Sequence, residues 1–574
     1  MTAPLAGPKC KNRFPKYPLC KFVNDMALGF KPTVVDGASG KTLTIAAFQI
    51  YHKFHRDLPE TKQYAYGVDE KTASYPGPIV VAKKGVPTKV YWQNKLLDKQ
   101  HMFTVDYTLM PMMAKPKQGG IPMVVHRHGG EQSSLSDGHP DAWITQFGET
   151  GPTFNSNLYR YGNKQSASLI WYHDHTLGWT RLNTVAGLAG GWIIVDPQGE
   201  EKNLQFLPQP GSARYVPLIL ADRSFFANGS IDYPNVGIVP NVHPNWIPEY
   251  FGNHILVNGL VWPFQKVRRA LYRFRVLGGA NARVYNLKFT CAGRGDYPNF
   301  FPPLKGPTLD IIQIGSDGGY LESPVRISTL LVLPGERMDI LVDFNTAPSY
   351  CKDVILTNDA RAPYPAGEPA DANTGVVMRF VITNRQKIPT PSIPSTLVSI
   401  PKVDLGSVVK VRYNTLVEIM DAKTQLPIRV TIDGKMHHDT ATEIAKEGST
   451  ELWNIINLSA DAHAMHLHLI QHRAISRRPF DIAGYQSGKC SFTDKTKPSC
   501  YTGAAVAVDI NERGWKDTTL SLPGQVLTIY TPFYQQSGAK QFEFDPSRGP
   551  GYVWHCHMLE HEENDMMRPL LIVK

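Results

Sequence analysis

A pattern of strand residues that recurs three times along the 574-residue chain constrains the fold more than any other feature. In each copy, apolar and polar residues alternate before a loop, as expected for half-buried strands, at residues 90–94, 272–276 and 452–457. Further apolar strand patterns close each third of the chain, at residues 169–172 and 192–195, 339–342 and 376–382, and 552–554 and 570–573. Repetition of one strand-rich unit predicts three similar β-sandwiches rather than one large barrel.

Composition supports an all-β fold with several domains. Hydrophobic residues make up 42% of the chain and charged residues 19%, which excludes a wholly disordered protein. The 47 glycines, 45 prolines and 10% aromatic residues indicate many short strands joined by turns. We expect an N-terminal extension over residues 1–40, then domains over residues 41–200, 201–385 and 386–574, with the proline-rich residues 389–394 as the second linker.

Charge and hydropathy argue against two classes of partner. The net charge of +10 is scattered in short pairs, without the long basic run that is typical of a nucleic-acid-binding arm. No segment approaches the roughly 18 continuous apolar residues of a membrane-spanning helix. We therefore expect neither a nucleic-acid partner nor a transmembrane span. We also expect the protein to be a monomer.

The cysteine count of seven is odd, so one thiol is left over if the other six form disulfides. The six can be paired as Cys10–Cys20, Cys490–Cys500 and Cys291–Cys351. The first two pairs would each close a short polar loop, and the third is the pair that remains. The alternative is that all seven are free thiols in a reducing compartment.

The sequence does not determine the cellular compartment of the protein. The first 20 residues contain no apolar segment typical of a secretion signal. Asn228 and Asn457 fit the weak acceptor pattern of a glycoprotein. We expect a protein of the extracellular space or secretory lumen, with a signal that was either removed or not used, and the alternative is a cytoplasmic protein.

Histidine clustering is the strongest chemical signal, because ten of the 19 histidines fall into four short segments. The segments are His126-Arg127-His128, His173-Asp174-His175, His463-Ala464-Met465-His466-Leu467-His468, and His555-Cys556-His557 with His561. A single His-x-His pair on a strand places both imidazoles on one face and is as often a polar surface as a metal site. Four such pairs in one chain predict metal binding.

Strand alternation at residues 555–557 predicts two metal centres rather than one. The imidazoles of His555 and His557 point to one side of the strand and the thiol of Cys556 points to the other. Two histidines, one cysteine and a weak axial methionine form a blue-copper electron-transfer site. Cys556, His561 and Met566 supply the local ligands, and His463 can complete the set. The eight histidines of the four His-x-His pairs suit a cluster of three copper ions with room for oxygen.

In these motifs the chain resembles the multicopper oxidases, with particular similarity to spore-coat laccase, bilirubin oxidase and plant low-phosphate-root ferroxidases. The four histidine motifs occur in the order typical of the family, and further similar stretches are residues 313–319, 477–482 and 514–517. The resemblance implies three cupredoxin-like Greek-key β-sandwich domains, with no copper ligands in domain 2. It also implies four copper ions between domains 1 and 3 and within domain 3.

The resemblance assigns a role to each candidate ligand. A type 1 copper would be held by His463, Cys556, His561 and Met566. A type 2 copper would be held by His126 and His466. A type 3 pair would be held by His128, His173, His175, His468, His555 and His557, which completes a trinuclear cluster. Cys556 then stays free, and three disulfides among the other six cysteines become more plausible.

The activity that the resemblance implies is oxygen-dependent oxidation. A donor would lose single electrons to the type 1 copper, and O2 would be reduced to water by four electrons at the trinuclear cluster. Asp137 and Glu562 match acidic positions that the family uses near this cluster, where protons are required. The alternatives are a turn residue for Asp137 and a solvated carboxylate for Glu562.

Two features depart from the family pattern or have no assigned role. Arg127 stands where relatives usually have an apolar residue, and alternation would turn it away from the copper, with Glu131 nearby as a partner. Methionines 110, 112, 113 and 123 could bind cuprous ion, although hydrophobic packing is the favoured interpretation.

The donor stays open between phenolic or tetrapyrrole-type organic molecules and Fe(II). An Fe(II) site requires carboxylates beside the type 1 copper, and the candidates are Glu249, Asp359 and Asp439 in segments that resemble the plant ferroxidases. For each residue taken separately, an ordinary surface or turn carboxylate is the favoured interpretation, and all three together beside the type 1 copper would favour an iron site. A non-catalytic copper-binding or structural protein is the alternative from another class, and the complete ligand set argues against it.

Overall fold

Strands account for most of the regular structure in the computed structural model, which describes residues 19–293 and 304–574. Within these residues, 33 strands form six sheets. The sheets occur as three consecutive pairs along the chain, and each pair packs as one β-sandwich. The all-β prediction is therefore confirmed.

The first sandwich contains the strands from residue 34 to residue 195. One sheet has the order β1 (Val34–Asp36), β4 (Gly77–Lys83), β9 (Ala189–Val195), β8 (Ser168–Asp174) and β6 (Val125–His128). The other has the order β3 (Thr61–Gly67), β2 (Thr42–His52), β5 (Thr88–Asn94) and β7 (Leu158–Tyr161). β1 lies within the segment predicted as an extension, so the sandwich begins earlier than expected.

The second sandwich contains the strands from residue 215 to residue 387. Its larger sheet has the order β12 (Leu260–Val261), β11 (His254–Val257), β10 (Tyr215–Arg223), β14 (Leu271–Gly278), β20 (Arg337–Asp343), β17 (Ile311–Ser316) and β18 (Gly319–Ile327). Its smaller sheet has the order β13 (Phe264–Arg269), β22 (Val376–Lys387), β21 (Asp353–Asn358), β15 (Tyr285–Cys291) and β16 (Thr308–Leu309), and β19 (Leu330–Val332) also pairs with β15.

The third sandwich contains the strands from residue 408 to residue 573. One sheet has the order β24 (Pro427–Ile432), β23 (Val408–Met420), β26 (Thr450–Asn457), β31 (Gln525–Pro532), β28 (Arg473–Pro479) and β29 (Val506–Ala507). The other has the order β25 (Glu443–Lys446), β33 (Met567–Val573), β32 (Tyr552–Cys556), β27 (His463–Leu467) and β30 (Thr518–Ser521).

Helices are short and lie between strands. In chain order they are α1 (Met26–Gly29), α2 (Thr180–Ala186), α3 (Ile482–Gln486) and α4 (Leu559–Glu562). Single 3₁₀ turns occur at Glu70–Thr72, Ser134–Ser136, Lys202–Leu204, Leu405–Ser407 and Ile510–Glu512. None of the helices in the described part of the chain has the length and apolar character needed to cross a membrane.

The threefold repeat of the sequence corresponds to a repeated strand arrangement. The three repeated segments form β5, β14 and β26. Each pairs in parallel with the strand before it in its sheet, as β2 with β5, β10 with β14 and β23 with β26. Each is also antiparallel to its other neighbour, β7, β20 or β31. The recurring sequence pattern therefore corresponds to a strand topology that recurs in all three sandwiches.

The hydrophobic cores show how the three sandwiches associate. One continuous cluster joins the first and third sandwiches and includes Trp92, Trp192, Trp453 and Trp554. The core of the second sandwich, around Phe274, belongs to another large cluster that also includes Phe54 and Val185 of the first sandwich. The first and third sandwiches thus pack together through apolar side chains, and this contact fixes the relative positions of their histidine motifs.

The disulfide predictions are confirmed where the structure describes both partners. Cys291 is bonded to Cys351 and Cys490 to Cys500, while Cys556 is free and buried. Cys20 is also disulfide-bonded. Its predicted partner, Cys10, lies outside the described residues.

A buried ion cluster gives a test of the second sandwich. Asp339 on β20 accepts hydrogen bonds from Arg273 at 2.6 Å, and its carboxylate lies 3.1 Å from Arg275. Asp339→Asn leaves two buried guanidinium groups without a charged partner on this side chain, so we expect a loss of about 3–5 kcal/mol and a lower unfolding midpoint of the metal-free protein in calorimetry. The control is Asp310→Asn, whose pair with Arg326 is exposed and should change stability by less than about 0.5 kcal/mol. Equal midpoints for the two variants would contradict this role of Asp339.

Candidate metal centres

Pairing of β27 with β32 places two groups of side chains on opposite faces of one sheet. Met465 lies opposite Cys556, and His466 lies opposite His555. Because successive residues of a strand alternate between faces, His463 shares the face of Cys556. His468 and His557 share the other face with His466 and His555. This register separates a thiolate site from a histidine cluster, as the sequence predicted.

Pairing of β6 with β8 brings the other four histidines together. His126 lies opposite His173 in this antiparallel pair, and His128 and His175 follow on the same face. The rings of His126 and His468 stack with centroids 3.8 Å apart, and those of His128 and His466 stack at 3.7 Å. The eight imidazoles, contributed equally by the first and third sandwiches, therefore form one group, the central histidine cluster.

Ring nitrogens converge in the central histidine cluster at distances suited to shared metal ions. His175 Nε2 and His468 Nε2 lie 3.3 and 3.2 Å from His555 Nε2. Three ligand groups have donor atoms within 4.8 Å of one another: His126, His128 and His466; His128, His173 and His557; and His175, His468 and His555. These groups contain all eight predicted histidines.

Hydrogen bonds on the outer side of the cluster leave other nitrogens free for metal. The Nδ1 atoms of His126, His173 and His466 bond to backbone carbonyls at 2.6, 2.8 and 2.9 Å. Their Nε2 atoms are buried without a hydrogen-bond partner. Since a carbonyl only accepts, each Nδ1 carries the proton and each Nε2 presents a lone pair. This is the arrangement in which a neutral imidazole binds a metal ion.

Burial favours the neutral form of six imidazoles of the cluster. The eight rings are each at most 1% exposed. Burial, reinforced by neighbouring histidines, holds the pKa values of His128, His173, His175, His468 and His557 well below the ordinary value. Burial also lowers the pKa of His466 to about 4. A set of neutral, closely spaced imidazole nitrogens fits copper.

Both predicted acids lie against the central histidine cluster. Asp137 Oδ2 is 2.7 Å from His468 Nδ1, and its other oxygen accepts a hydrogen bond from Gln132 at 2.8 Å. Glu562, at the end of α4, lies 3.0 Å from His555 Nδ1 and 3.6 Å from His175 Nδ1. Both carboxylates are buried, so Glu562 is not a solvated side chain. Asp137 does lie in a turn, directly after Ser134–Ser136, and its carboxylate nevertheless contacts the cluster.

The thiolate site consists of His463, Cys556 and His561, all fully buried. His463 Nδ1 lies 3.1 Å from His561 Nδ1. Cys556 Sγ lies 3.6 and 3.8 Å from these two nitrogens. Met566 is buried in the same core, and its carbonyl accepts a hydrogen bond from Cys556 N at 3.0 Å. One thiol and two imidazoles converging in this way fit a copper ion.

Carboxylates surround the outer side of the thiolate site. Glu249 Oε1 lies 2.9 Å from His561 Nε2. Burial alone would lower the pKa of His561, but hydrogen bonds with Cys556 and Glu249 outweigh it and raise that pKa well above its ordinary value. Glu418 and Asp461 complete an acidic group beside Glu249 and His561. Burial first, and then repulsion from the neighbouring carboxylates, raises the pKa of Glu418 to about 7 and that of Asp461 to about 6.

The structure brings only one of the three sequence-predicted iron ligands to this position. Glu249 contacts the thiolate site directly. Asp359 is exposed and pairs instead with Asn286 and Lys288. Asp439 is exposed in a turn, where it accepts a hydrogen bond from the Met436 backbone at 2.8 Å. Glu418 and Asp461 lie at the positions beside the thiolate site where Asp359 and Asp439 were expected. Asp461 could have been found, because it lies two residues before His463.

Arg127 points away from the cluster, as alternation predicts, but its partners differ from the expected one. Its guanidinium donates to Gln132 at 2.8 Å and to Asn163 at 2.6 Å. It also stacks on Tyr161, at 4.1 Å from the ring centre. Glu131 instead accepts a hydrogen bond from the Gln536 backbone at 2.6 Å. Stacking on the Tyr161 ring and hydrogen bonds to neutral amide oxygens therefore stabilise the buried positive charge of Arg127.

The methionine run and the glycosylation patterns of the sequence lie outside the two metal sites. Met110, Met113 and Met123 are buried in the core, while Met112 is exposed, which agrees with the packing interpretation. Asn457 is fully buried and donates a hydrogen bond to the Asp461 carbonyl at 2.8 Å, so this acceptor pattern is not accessible for glycosylation. Asn228 is exposed.

Comparisons with known proteins agree with this site. Family models described as multicopper oxidase match residues 118–199 and 408–574. The chain is 40% identical over 539 residues to multicopper oxidase LPR1 of Arabidopsis thaliana, covering 93% of this chain and 88% of the relative. It is 38% identical to a laccase of Bacillus subtilis, covering 90% of this chain and 92% of the laccase.

Solved structures show the same architecture. The multicopper oxidase McoA of Aquifex aeolicus superposes with a TM-score of 0.70 at 23% identity, covering 98% of this chain and all of McoA. The buried histidines, the free thiol of Cys556 and relatives that align along nearly the whole chain lead to one conclusion. The chain belongs to the multicopper oxidases, a family of copper-binding, oxygen-dependent oxidoreductases.

Proposed function

We propose that this oxidase holds four copper ions in the two sites. The thiolate site, together with Met566, would hold the type 1 ion. His126 and His466 would hold the type 2 ion. The type 3 pair would be held by His128, His173 and His557 and by His175, His468 and His555. The three ligand groups of converging donor atoms support this division. Bound copper supplies one-electron oxidation at the thiolate site and reduction of O2 to water at the central histidine cluster.

The backbone of β32 supports electron transfer between the two sites. Cys556 faces the thiolate site, and the residues on either side of it, His555 and His557, face the central histidine cluster. An electron that enters at the thiol therefore reaches the cluster through a few covalent bonds within one strand. Met558 N donates to Cys556 Sγ at 3.5 Å, which holds the sulfur in position in the thiolate site.

Asp137 and Glu562 would supply protons for oxygen reduction. Reduction of one O2 to two waters consumes four protons together with four electrons. Asp137 lies at His468 Nδ1 and Glu562 at His555 Nδ1, on opposite sides of the cluster. Each carboxyl group can hold a proton at the edge of the cluster and orient the imidazole that it contacts.

Fe(II) is the donor that the geometry favours. The observation that carries this proposal is the 2.9 Å contact between Glu249 and His561, because it joins a carboxylate to a ligand of the thiolate site. Asp461 and Glu418 lie beside it and are only partly buried. Hard cations prefer carboxylate oxygens, whereas a phenol binds an apolar pocket. The similarity to Bacillus laccases keeps organic donors as an outcome of the test below.

We also propose that the chain folds in an oxidising compartment, the extracellular space or the secretory lumen. The disulfides Cys291–Cys351 and Cys490–Cys500 support this, since structural disulfides are rare in the cytosol. In a test, cells that make the protein are lysed under denaturing conditions in the presence of an alkylating reagent. We expect the reagent to label no cysteine other than Cys556. Labelling of Cys291 or Cys490 would instead favour the cytoplasm.

The thiolate assignment is tested by Cys556→Ser. We expect the variant to lose the intense visible thiolate-to-copper absorption band and one copper ion per chain, because a serine hydroxyl is a poor ligand for copper. The measurements are absorption spectroscopy and copper analysis of the loaded protein. Retention of the band in the variant, or its absence from the loaded wild type, would contradict the assignment.

The donor proposal is tested by Glu418→Gln and Asp461→Asn. We expect kcat/KM for Fe(II) to fall about tenfold or more in each, the effect of losing a charge interaction of about 1.4 kcal/mol. Activity on a phenol should stay near the wild-type value. Steady-state kinetics with both donors separate these effects.

Asp359→Asn and Asp439→Asn serve as matched controls, because each also removes one negative charge but at an exposed position. They should change Fe(II) kinetics by less than about twofold, the effect of a surface charge. Equal losses for Fe(II) and phenol in Glu418→Gln would contradict an iron site, and a loss confined to the phenol would favour the organic donor.

A further inference from the structure

A further group of histidines lies where the first and third sandwiches meet, and none of its members is among the ligands assigned above. His437 and His438 belong to the loop between β24 and β25 of the third sandwich. His139 and Asp141 belong to the loop that follows the 3₁₀ turn Ser134–Ser136 of the first sandwich. His139, Asp141 and His437 are buried, whereas the side chain of His438 is 33% exposed. The group therefore lies at the edge of the boundary between two sandwiches.

Asp141 and His438 are spaced as two ligands of one ion. Asp141 Oδ2 lies 3.4 Å from His438 Nε2, across the boundary between the sandwiches. Two ligand atoms bound at about 2.1 Å with tetrahedral angles are about 3.4 Å apart. A charge-assisted hydrogen bond is shorter, at roughly 2.7–2.9 Å. The spacing thus fits two ligands of a metal ion better than it fits a direct ion pair.

The carboxyl group of Asp141 is in the form that binds a cation. Burial alone would raise its pKa. Contact with His438, together with the neighbouring rings of His139 and His437, outweighs burial and lowers the pKa below its ordinary value. Asp141 is therefore a carboxylate at neutral pH.

His437 has a ring nitrogen that the protein leaves without a partner. The residue is 2% exposed, and its Nδ1 is buried without a hydrogen-bond partner in the part of the chain that the structure describes. Its ring lies against that of His438, with centroids 4.7 Å apart and planes at 83°. Burial, reinforced by His139, lowers the pKa of His437 to about 3, so the imidazole is neutral. An unpaired buried polar atom destabilises the fold unless something binds it, and a neutral imidazole is a common metal ligand.

His139 supports this group without being one of its ligands. Burial lowers the pKa of His139, so its ring is also neutral. Its Nδ1 accepts a hydrogen bond from the backbone N–H of Asp141 at 3.2 Å, so its proton lies on Nε2. The lone pair that a metal ion would need is therefore already in use. The remaining three residues, Asp141, His437 and His438, form what we call the junction site.

The loop that carries His437 and His438 is fixed before any ion binds. The backbone N–H of His437 donates to the carboxylate of Asp565 at 3.0 Å. The buried guanidinium of Arg568 donates to three backbone carbonyls within residues 436–440. Because the loop does not have to be ordered when an ion binds, little of the binding free energy is lost to conformational entropy.

We propose that the junction site binds one divalent cation of the class of Zn²⁺ and Cu²⁺ through Asp141, His437 and His438. Two imidazoles and one carboxylate suit these ions, whereas Mg²⁺ and Ca²⁺ prefer oxygen ligands. The partial exposure of His438 allows water to fill the fourth position. The ion would join the first sandwich to the third at a point outside both metal sites described above.

The position of the junction site gives the ion a structural consequence. Asp137 lies four residues before Asp141 in the same loop, and its carboxylate contacts His468 at 2.7 Å. An ion held by Asp141 would therefore restrain the loop that positions Asp137 beside the central histidine cluster. The proposal does not depend on the identity of the electron donor or on turnover, so it can fail in an active oxidase and hold in an inactive protein.

The direct test uses the copper-loaded protein, freed of loosely held metal on a chelating resin, with Zn²⁺ as the probe. Copper binds such ligands more tightly than zinc does, so zinc should not displace copper from the two metal sites. We expect titration calorimetry to show one Zn²⁺ per chain. A crystal soaked in Zn²⁺ should show anomalous density at the zinc edge between Asp141 and His438. Density at the copper edge in the same position before soaking would support the proposal equally, and no density for either metal would overturn it.

Variants from both sandwiches test the ligand set. His437→Phe keeps an aromatic ring but removes the nitrogens, and Asp141→Asn keeps the shape but removes the charge. We expect each variant to bind Zn²⁺ about 100-fold more weakly or worse, because loss of a mere hydrogen-bond partner of a ligand already costs about 10–100-fold. Zinc should raise the unfolding midpoint of the wild type in calorimetry and leave that of the variants unchanged. Wild-type zinc affinity in either variant would contradict the proposal.

Asp439→Asn is the matched control, because it removes an exposed carboxylate from the same loop, directly after His438. It should change zinc affinity by less than about twofold, the effect of a surface charge. A loss as large as in Asp141→Asn would indicate general attraction by the loop and would count against a defined site.

Copper content and the thiolate-to-copper band show whether each variant is folded. If Asp141→Asn loses either of them, His438→Asn decides, because its partly exposed side chain can be replaced with little effect on packing. Zinc binding at wild-type affinity in His438→Asn would overturn the proposal, and a loss of zinc with full copper content would support it.

Discussion

The hydrogen-bond register between β27 and β32 is the constraint on which both metal sites depend. Met465 opposite Cys556 and His466 opposite His555 place the thiol on one face of the sheet and the imidazoles on the other. A slip of one residue in either strand would exchange the faces and mix the two ligand sets. The apolar side chains of Trp554 and Met465 are fully buried and resist such a slip, because it would move them to the face of the histidines and move imidazoles into the apolar core. The core packing therefore specifies the separation of the sites.

All three sandwiches contribute residues around the central histidine cluster, although only two of them supply imidazoles. The Nε2 atoms of His175 and His468 lie 3.2–3.3 Å from that of His555, an arrangement that a metal ion would stabilise and that the side chains alone do not. The shared core of the first and third sandwiches brings the rings together. The second sandwich then contributes Arg337, which binds the side chain of Asp517, and Gly335, whose backbone closely approaches the rings of His128 and His557. These contacts give the second sandwich a physical role beside the cluster, although it supplies none of the histidines.

The sequence predicted those parts of the site that depend on local spacing. Alternation along a strand was sufficient for the His-x-His pairs, for the opposite direction of Cys556 and for the outward turn of Arg127. Glu562 and Asp137 followed instead from the resemblance to the family, which has acidic residues at these positions. Contacts between distant strands could not be predicted in this way: Glu418 lies on β23 without any local signal, and Arg337 is separated from Asp517 by 180 residues. Asp359 and Asp439 were expected at the thiolate site from their sequence context alone, and the fold places both on the surface.

The acidic group beside His561 also shows why the net charge of +10 is a poor guide to the donor. Charges separated by more than about 8 Å are largely screened at physiological ionic strength, so the scattered lysines and arginines have little effect at one site. Glu249, Glu418 and Asp461 lie within interaction distance of one another and of His561, in a partly desolvated position where their attraction for a cation is stronger. Carboxylates also stabilise Fe(III) more than Fe(II), because the electrostatic attraction grows with the charge of the ion. The same three groups would therefore collect the reduced ion and favour its loss of an electron to the adjacent site.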